Sequence, residues 1–74
     1  MYRRLGTMAF YRIDSDRAFT EIQVIGSRRV VHRVEAIAYP EMVRIQEMIR
    51  MGVYEPLERR EWERQWALSD EWGV

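Results

Sequence analysis

The stretch from Ala18 to Ile37 leaves this chain little freedom in what it can become. Ala18, Thr20, Ile22 and Val24 fall on one side of an extended backbone, and Phe19, Glu21, Gln23 and Ile25 on the other. Gly26-Ser27 follows, and glycine supplies the positive φ that a tight hairpin turn needs. Alternation then resumes. Val30, His32, Val34 and Ala36 share one face; Arg29, Val31, Arg33 and Glu35 share the other. Residues 18–25 and 29–37 are therefore predicted to pair as antiparallel strands. An earlier aromatic and apolar run, residues 7–13, predicts a third strand. Asp14-Ser15-Asp16-Arg17 would end it, since these side chains bond to their own backbone in turns.

The second half has the period of helices. Tyr39-Pro40-Glu41 is a helix start, with proline early and an acid in the first turn. Met42, Ile45, Met48, Ile49 and Gly52 then recur at spacings of three and four, which predicts a helix over 40–51 with Gly52 as its C-cap. Pro56 is expected to open a second helix over 56–68, leaving 69–74 as a tail. The order is β-β-β-α-α. It predicts an α+β fold in which a three-stranded antiparallel sheet is packed by one amphipathic helix, with a second helix at the C-terminal end.

Composition narrows the rest. With 74 residues, one domain over 1–74 is expected. The absence of cysteine excludes disulfides, thiolate chemistry and cysteine-ligated metals. No apolar run approaches the ~20 residues of a membrane span, and no export signal is visible. The expectation is a cytoplasmic protein that does not enter a membrane.

No catalytic constellation emerges. His32 is the single histidine and sits between inward-pointing valines, without a second histidine or a cysteine to complete a metal site. Asp14 and Asp16 lack the glycine and distal glutamate of a calcium loop. The helical glutamates lie beside arginines, which keeps them from being raised into general acids. No nucleophile–histidine–acid set is present, since Ser15, Ser27 and Ser69 all fall at turns, and there is no Gly-rich phosphate loop. The reading is a protein that is not an enzyme and takes no cofactor or metal.

The charges point to binding. All twelve basic residues are arginine, and the net charge is zero. That zero is a cancellation. Residues 1–35 carry a surplus of three positive charges and residues 36–74 a surplus of three negative ones, which suggests two opposed surfaces. Arg28, Arg29 and Arg33 cluster at the hairpin, where they could meet an acidic protein surface or phosphates. Trp62, Trp66 and Trp72 lie within the last thirteen residues. Tryptophan and arginine are the residues most enriched at interface hot spots. Trp66 is expected in the core, with Trp62 or Trp72 partly exposed and the two of them serving as anchors. Glu58, Glu61 and Glu63 would then meet a basic surface.

In size and layout, a β-hairpin followed by an amphipathic helix, the chain looks like small inhibitors carried by phages and mobile elements, anti-CRISPR proteins among them. That likeness implies a protein-binding module that occludes a functional surface of its partner, which would include nucleic-acid-binding complexes. The alternative is a nucleic-acid-binding regulator that uses the arginine-rich hairpin. A homodimer formed through exposed tryptophans or a sheet edge is a third expectation.

Overall fold

The computed structural model describes residues 1–69, together with the backbone of Glu71 and Trp72. Four long strands form an antiparallel meander: β1 (Tyr2–Leu5), β2 (Ala9–Ser15), β3 (Ala18–Ile25) and β4 (Arg28–Glu35). Helix α1 (Tyr39–Arg50) follows, then β5 (Glu55–Pro56), helix α2 (Arg59–Leu68) and β6 (Glu71–Trp72). The sheet order is β5-β1-β2-β3-β4-β6. An α+β fold with an antiparallel sheet followed by two helices is as expected, but the sheet is larger than three strands and the second helix is shorter than predicted.

The Gly26-Ser27 hairpin joins β3 to β4 in continuous register from Ala18↔Glu35 to Ile25↔Arg28, with Gly26 at φ +62°. The extra long strand is β1. Its Arg3 and Arg4 conceal its extended character in the sequence, and it turns into β2 through Gly6 at φ +56°. β2 runs on to Ser15, past the turn expected at Asp14, with an irregularity in register between Ile13 and Ser15. Asp14 does not cap a turn. It accepts hydrogen bonds from Arg12 Nε at 2.6 Å and Thr20 Oγ1 at 3.0 Å. The turn falls instead on Asp16 and Arg17, where Ser15 Oγ accepts from the Arg17 amide.

Helix α1 begins where expected. The Glu41 carboxylate folds back to accept from the Ile37 amide at 2.9 Å and from the Ala38 N-cap amide at 3.5 Å, the second of these a donor that the helix itself leaves open. It ends at Met51, whose backbone is extended, so Gly52 is not the C-cap. Pro56 does not open α2 either. It lies in β5 opposite Arg3 on the outer side of β1, and α2 begins three residues later after Glu58. A proline lacks the ladder's donor and is tolerated at such an edge.

Both faces of the sheet are covered, where the sequence suggested one. On one face Ala9, Tyr11, Ile13 and Phe19 pack with Ile45 and Met48 of α1. On the other, Phe10, Ile22 and Val31 pack with Trp62 of α2. The alternation of β2, with Phe10 on one side and Tyr11 on the other, therefore serves two cores. The path follows from this. After β4 the chain crosses the first face as α1 and reaches the far edge at β5. It then returns across the second face as α2 and pairs with β4 again as β6.

Candidate interaction site

The α2 face gathers most of the residues singled out from the sequence. Tyr2, Trp62 and Trp66 form a run of rings, with centroids 5.8 Å apart for the first pair and 6.1 Å for the second. Trp62 and Trp66 are i,i+4 and so stand on one side of α2. Over both rings lies the guanidinium of Arg12, 5.7 Å from each centroid. Arg12 comes from β2 and is fixed from below, with Nε bonded to Asp14 and Nη2 directed to Thr20 Oγ1 at 3.4 Å. These groups, with Arg59 and Glu63, line an open hollow of about 190 Å³.

Trp62 is buried, at 3% exposure, and Trp66 is the half-buried ring. This reverses the sequence expectation. The two share a helix face, so spacing alone does not decide which points to the sheet. Trp62 lies a turn nearer the start of α2, where Tyr2, Phe10 and Ile22 close around it. The Trp72 backbone pairs with Val31, and its side chain lies outside the described residues.

The arginine hairpin is not a single patch. Arg28 is exposed, but it alternates to the opposite face from Arg29. Arg29 is tied to α2 through Nε, which donates to Gln65 Oε1 at 2.8 Å. Arg33 lies between Asp14, at 3.3 Å, and Glu35, at 3.8 Å. The acids of α2 are likewise engaged at home. Glu63 pairs with Arg59 at 3.0 Å and Glu61 with Arg64 at 3.0 Å. A hydrogen bond from Gln65, together with the Arg64 guanidinium, holds the Glu61 carboxyl below its ordinary range. Glu58 and Glu61 flank a second hollow of about 350 Å³ that also includes Arg4, Pro56 and Leu57. Arg4 pairs with Glu55 at 3.5 Å, while its Nε is buried without a partner.

The opposed surfaces suggested by the two charged halves are not present as such. The basic half is the sheet, sandwiched between helices, and ion pairs such as Arg44–Glu21 and Arg4–Glu55 cross between the halves. What stands in their place is a localised arginine–aromatic hollow. Arg12, Tyr2 and Arg59 belong to it and were not among the predicted site residues. The available signal was Tyr2 and Arg12 on strands whose alternation places them on the same face as Ile22 and Val31.

Among the described residues, no group of three or more His, Cys, Asp or Glu side chains comes together as metal ligands. Among the same residues, no helix is long and apolar enough to cross a membrane. No protein-family model, curated protein or solved structure matches the chain.

Proposed function

We propose that this protein is a protein-binding module without catalytic activity, and that the hollow between β2 and α2 receives a side chain of its partner. One observation carries the reading: Arg12 is held over Trp62 and Trp66 by Asp14 and Thr20 while it remains open to solvent above. Arginine, tryptophan and tyrosine dominate interface hot spots, and their energy is realised best in preformed concave settings. Here the ordering of a long arginine side chain is completed on folding, so a partner does not meet that entropic cost. An acidic or aromatic side chain fits the lining. In this role the protein acts by occluding a functional surface, in the manner of a phage or mobile-element inhibitor.

Nucleic acid is the weaker reading. Asp14, Glu58, Glu61 and Glu63 lie around the same face, and a phosphate chain would meet them along with the arginines. The test is affinity capture from the host lysate with wild-type protein, Arg12→Ala and Trp66→Ala, each confirmed folded by circular dichroism. A specific protein held by wild type and lost with both variants supports the proposal. A partner retained by both variants defeats it. Binding to short oligonucleotides that falls steeply with salt would favour the alternative.

A further inference from the structure

The α1 helix has a second stripe that its own chain leaves only partly covered: Tyr39, Gln46 and Arg50 are exposed, and Met42 and Val43 are half-buried. Ile45 and Met48 are fully buried against the sheet. On the opposite side, Tyr39, Val43, Gln46 and Arg50 follow one another at spacings of four, three and four, which keeps them in line along a helix. Met42 stands beside them. Tyr39 is 77% exposed, and Ile37, just before the helix, is 92% exposed. Asp16, Tyr39, Met42, Val43 and Gln46 line an open, mostly apolar hollow of about 330 Å³.

We infer that this stripe is a homodimer interface in which α1 packs antiparallel against α1 of a second copy, about a two-fold axis between Val43 and Gln46. The charges select this occupant. Asp16 lies at the N-terminal end of the stripe and Arg50 at its C-terminal end. Neither has an ion pair among the described residues. Antiparallel packing sets Val43 against Gln46 of the second copy and Tyr39 against its Arg50. Each Arg50 then reaches the other copy's Asp16 carboxylate and the face of its Tyr39 ring. Parallel packing would set like ends together. A surface with an acid at one end, a base at the other, and Tyr39, Met42 and Val43 with the uncharged Gln46 between is complementary to itself, as a two-fold interface must be. Antiparallel alignment also opposes the two helix dipoles.

The stripe spans one helix of 12 residues, about 18 Å at 1.5 Å per residue. A patch of that size gives a weak dimer, micromolar rather than nanomolar. This differs from the dimer suggested by the sequence. Trp62 is buried, and each sheet edge is partly paired by β5 or β6.

Sedimentation equilibrium of the full chain over a wide concentration range tests the inference. Wild type is expected to pass from monomer to dimer. Val43→Asp should abolish the dimer, and Arg50→Asp should weaken it at least ~10-fold through loss and reversal of a charge contact. Adding Asp16→Arg to Arg50→Asp should recover most of the affinity. Arg12→Ala and Trp66→Ala, on the other face, should leave association unchanged, so failure here is distinct from failure of the partner-binding site. Circular dichroism at monomer concentrations confirms that each variant is folded, and the exposed Arg50 keeps the test open if Val43→Asp unfolds. A wild-type monomer at roughly 1 mM, far above a micromolar Kd, overturns the inference. So does wild-type association by Arg50→Asp, or a charge exchange that recovers nothing.

Discussion

Arg44 of α1 reaches Glu21 of β3 at 3.4 Å while its guanidinium stands 5.1 Å from the centre of the Phe19 ring. One side chain thus fastens the helix to the sheet by charge and by ring contact together. Glu21 stands on the α1 face of the sheet, with Tyr11 beside it on β2 and His32 opposite on β4. Without Arg44, that carboxylate would lie partly buried with its charge uncompensated.

Arg44→Ala is therefore expected to lower stability by about 1–2 kcal/mol, a figure reduced for the solvent that still reaches the pair. Adding Glu21→Gln should recover part of the loss, because the stranded charge goes with it. Urea unfolding of both single variants and the double variant gives the coupling between them. A double variant as unstable as the two losses added would contradict the account.

The Tyr11 hydroxyl lies in the same cluster. Burial, then the neighbouring Glu21 charge, pushes its pKa well above the ordinary value. The folded state therefore holds this proton at a pH where the unfolded chain has released it. Its contribution is complete below the unfolded value of about 10 and declines as pH rises beyond it. Urea midpoints measured upward from neutral pH should fall on the alkaline side. Tyr11→Phe should flatten that limb, and an unchanged alkaline slope would show that Tyr11 does not carry it.

The two tryptophans of α2 should separate cleanly. Trp62→Ala empties the centre of the second core and is expected to cost about 3–5 kcal/mol, a large part of what a small domain has. Trp66→Ala removes a half-buried ring and should cost less while eroding the Arg12 hollow. Near-ultraviolet circular dichroism and urea unfolding distinguish the two. Equal losses would mean that the buried position has been wrongly assigned.

Two glycines make opposite predictions. Gly26 sits at φ +62°, so an added Cβ is strained although no atom stands near it. Gly26→Ala is expected to destabilise by about 1 kcal/mol. Gly52 lacks a positive φ and also has open space around it. Gly52→Ala should stabilise by about 0.4–1 kcal/mol by restricting the unfolded chain. Thermal melts of both variants check the contrast.

The parts legible in the sequence are those set by neighbours. The hairpin is written in alternation and a turn glycine, and α1 in its stripe and its first-turn acid. β1 was not legible, because Arg3 and Arg4 interrupt the apolar alternation that would mark its hairpin with β2, and the contacts that cover Arg3 and pair the outer edge come from Met48 and Leu57, far away in sequence. Pro56 read as a helix start because its true partner, Arg3, is remote in sequence. The second covered face had a signal of its own. Ala9-Phe10-Tyr11 and Val30-Val31 are apolar on both sides of their strands, which a sheet wet on one side does not require. The hollow was half legible. Trp62 and Trp66 announced themselves, but Arg12 takes its meaning from a helix fifty residues downstream.

The return of the chain to β4 has a consequence for assembly order. The meander closes through successive neighbours. The part that follows it is a girdle, passing once around the sheet and fastened where Arg3 meets Pro56 and Val31 meets Trp72. Those fastenings join segments far apart in sequence, and such contacts form late because a long loop must close before any is gained. Until α1 and α2 cross it, the meander has apolar side chains open on both faces, so closing the girdle is expected to be the late step.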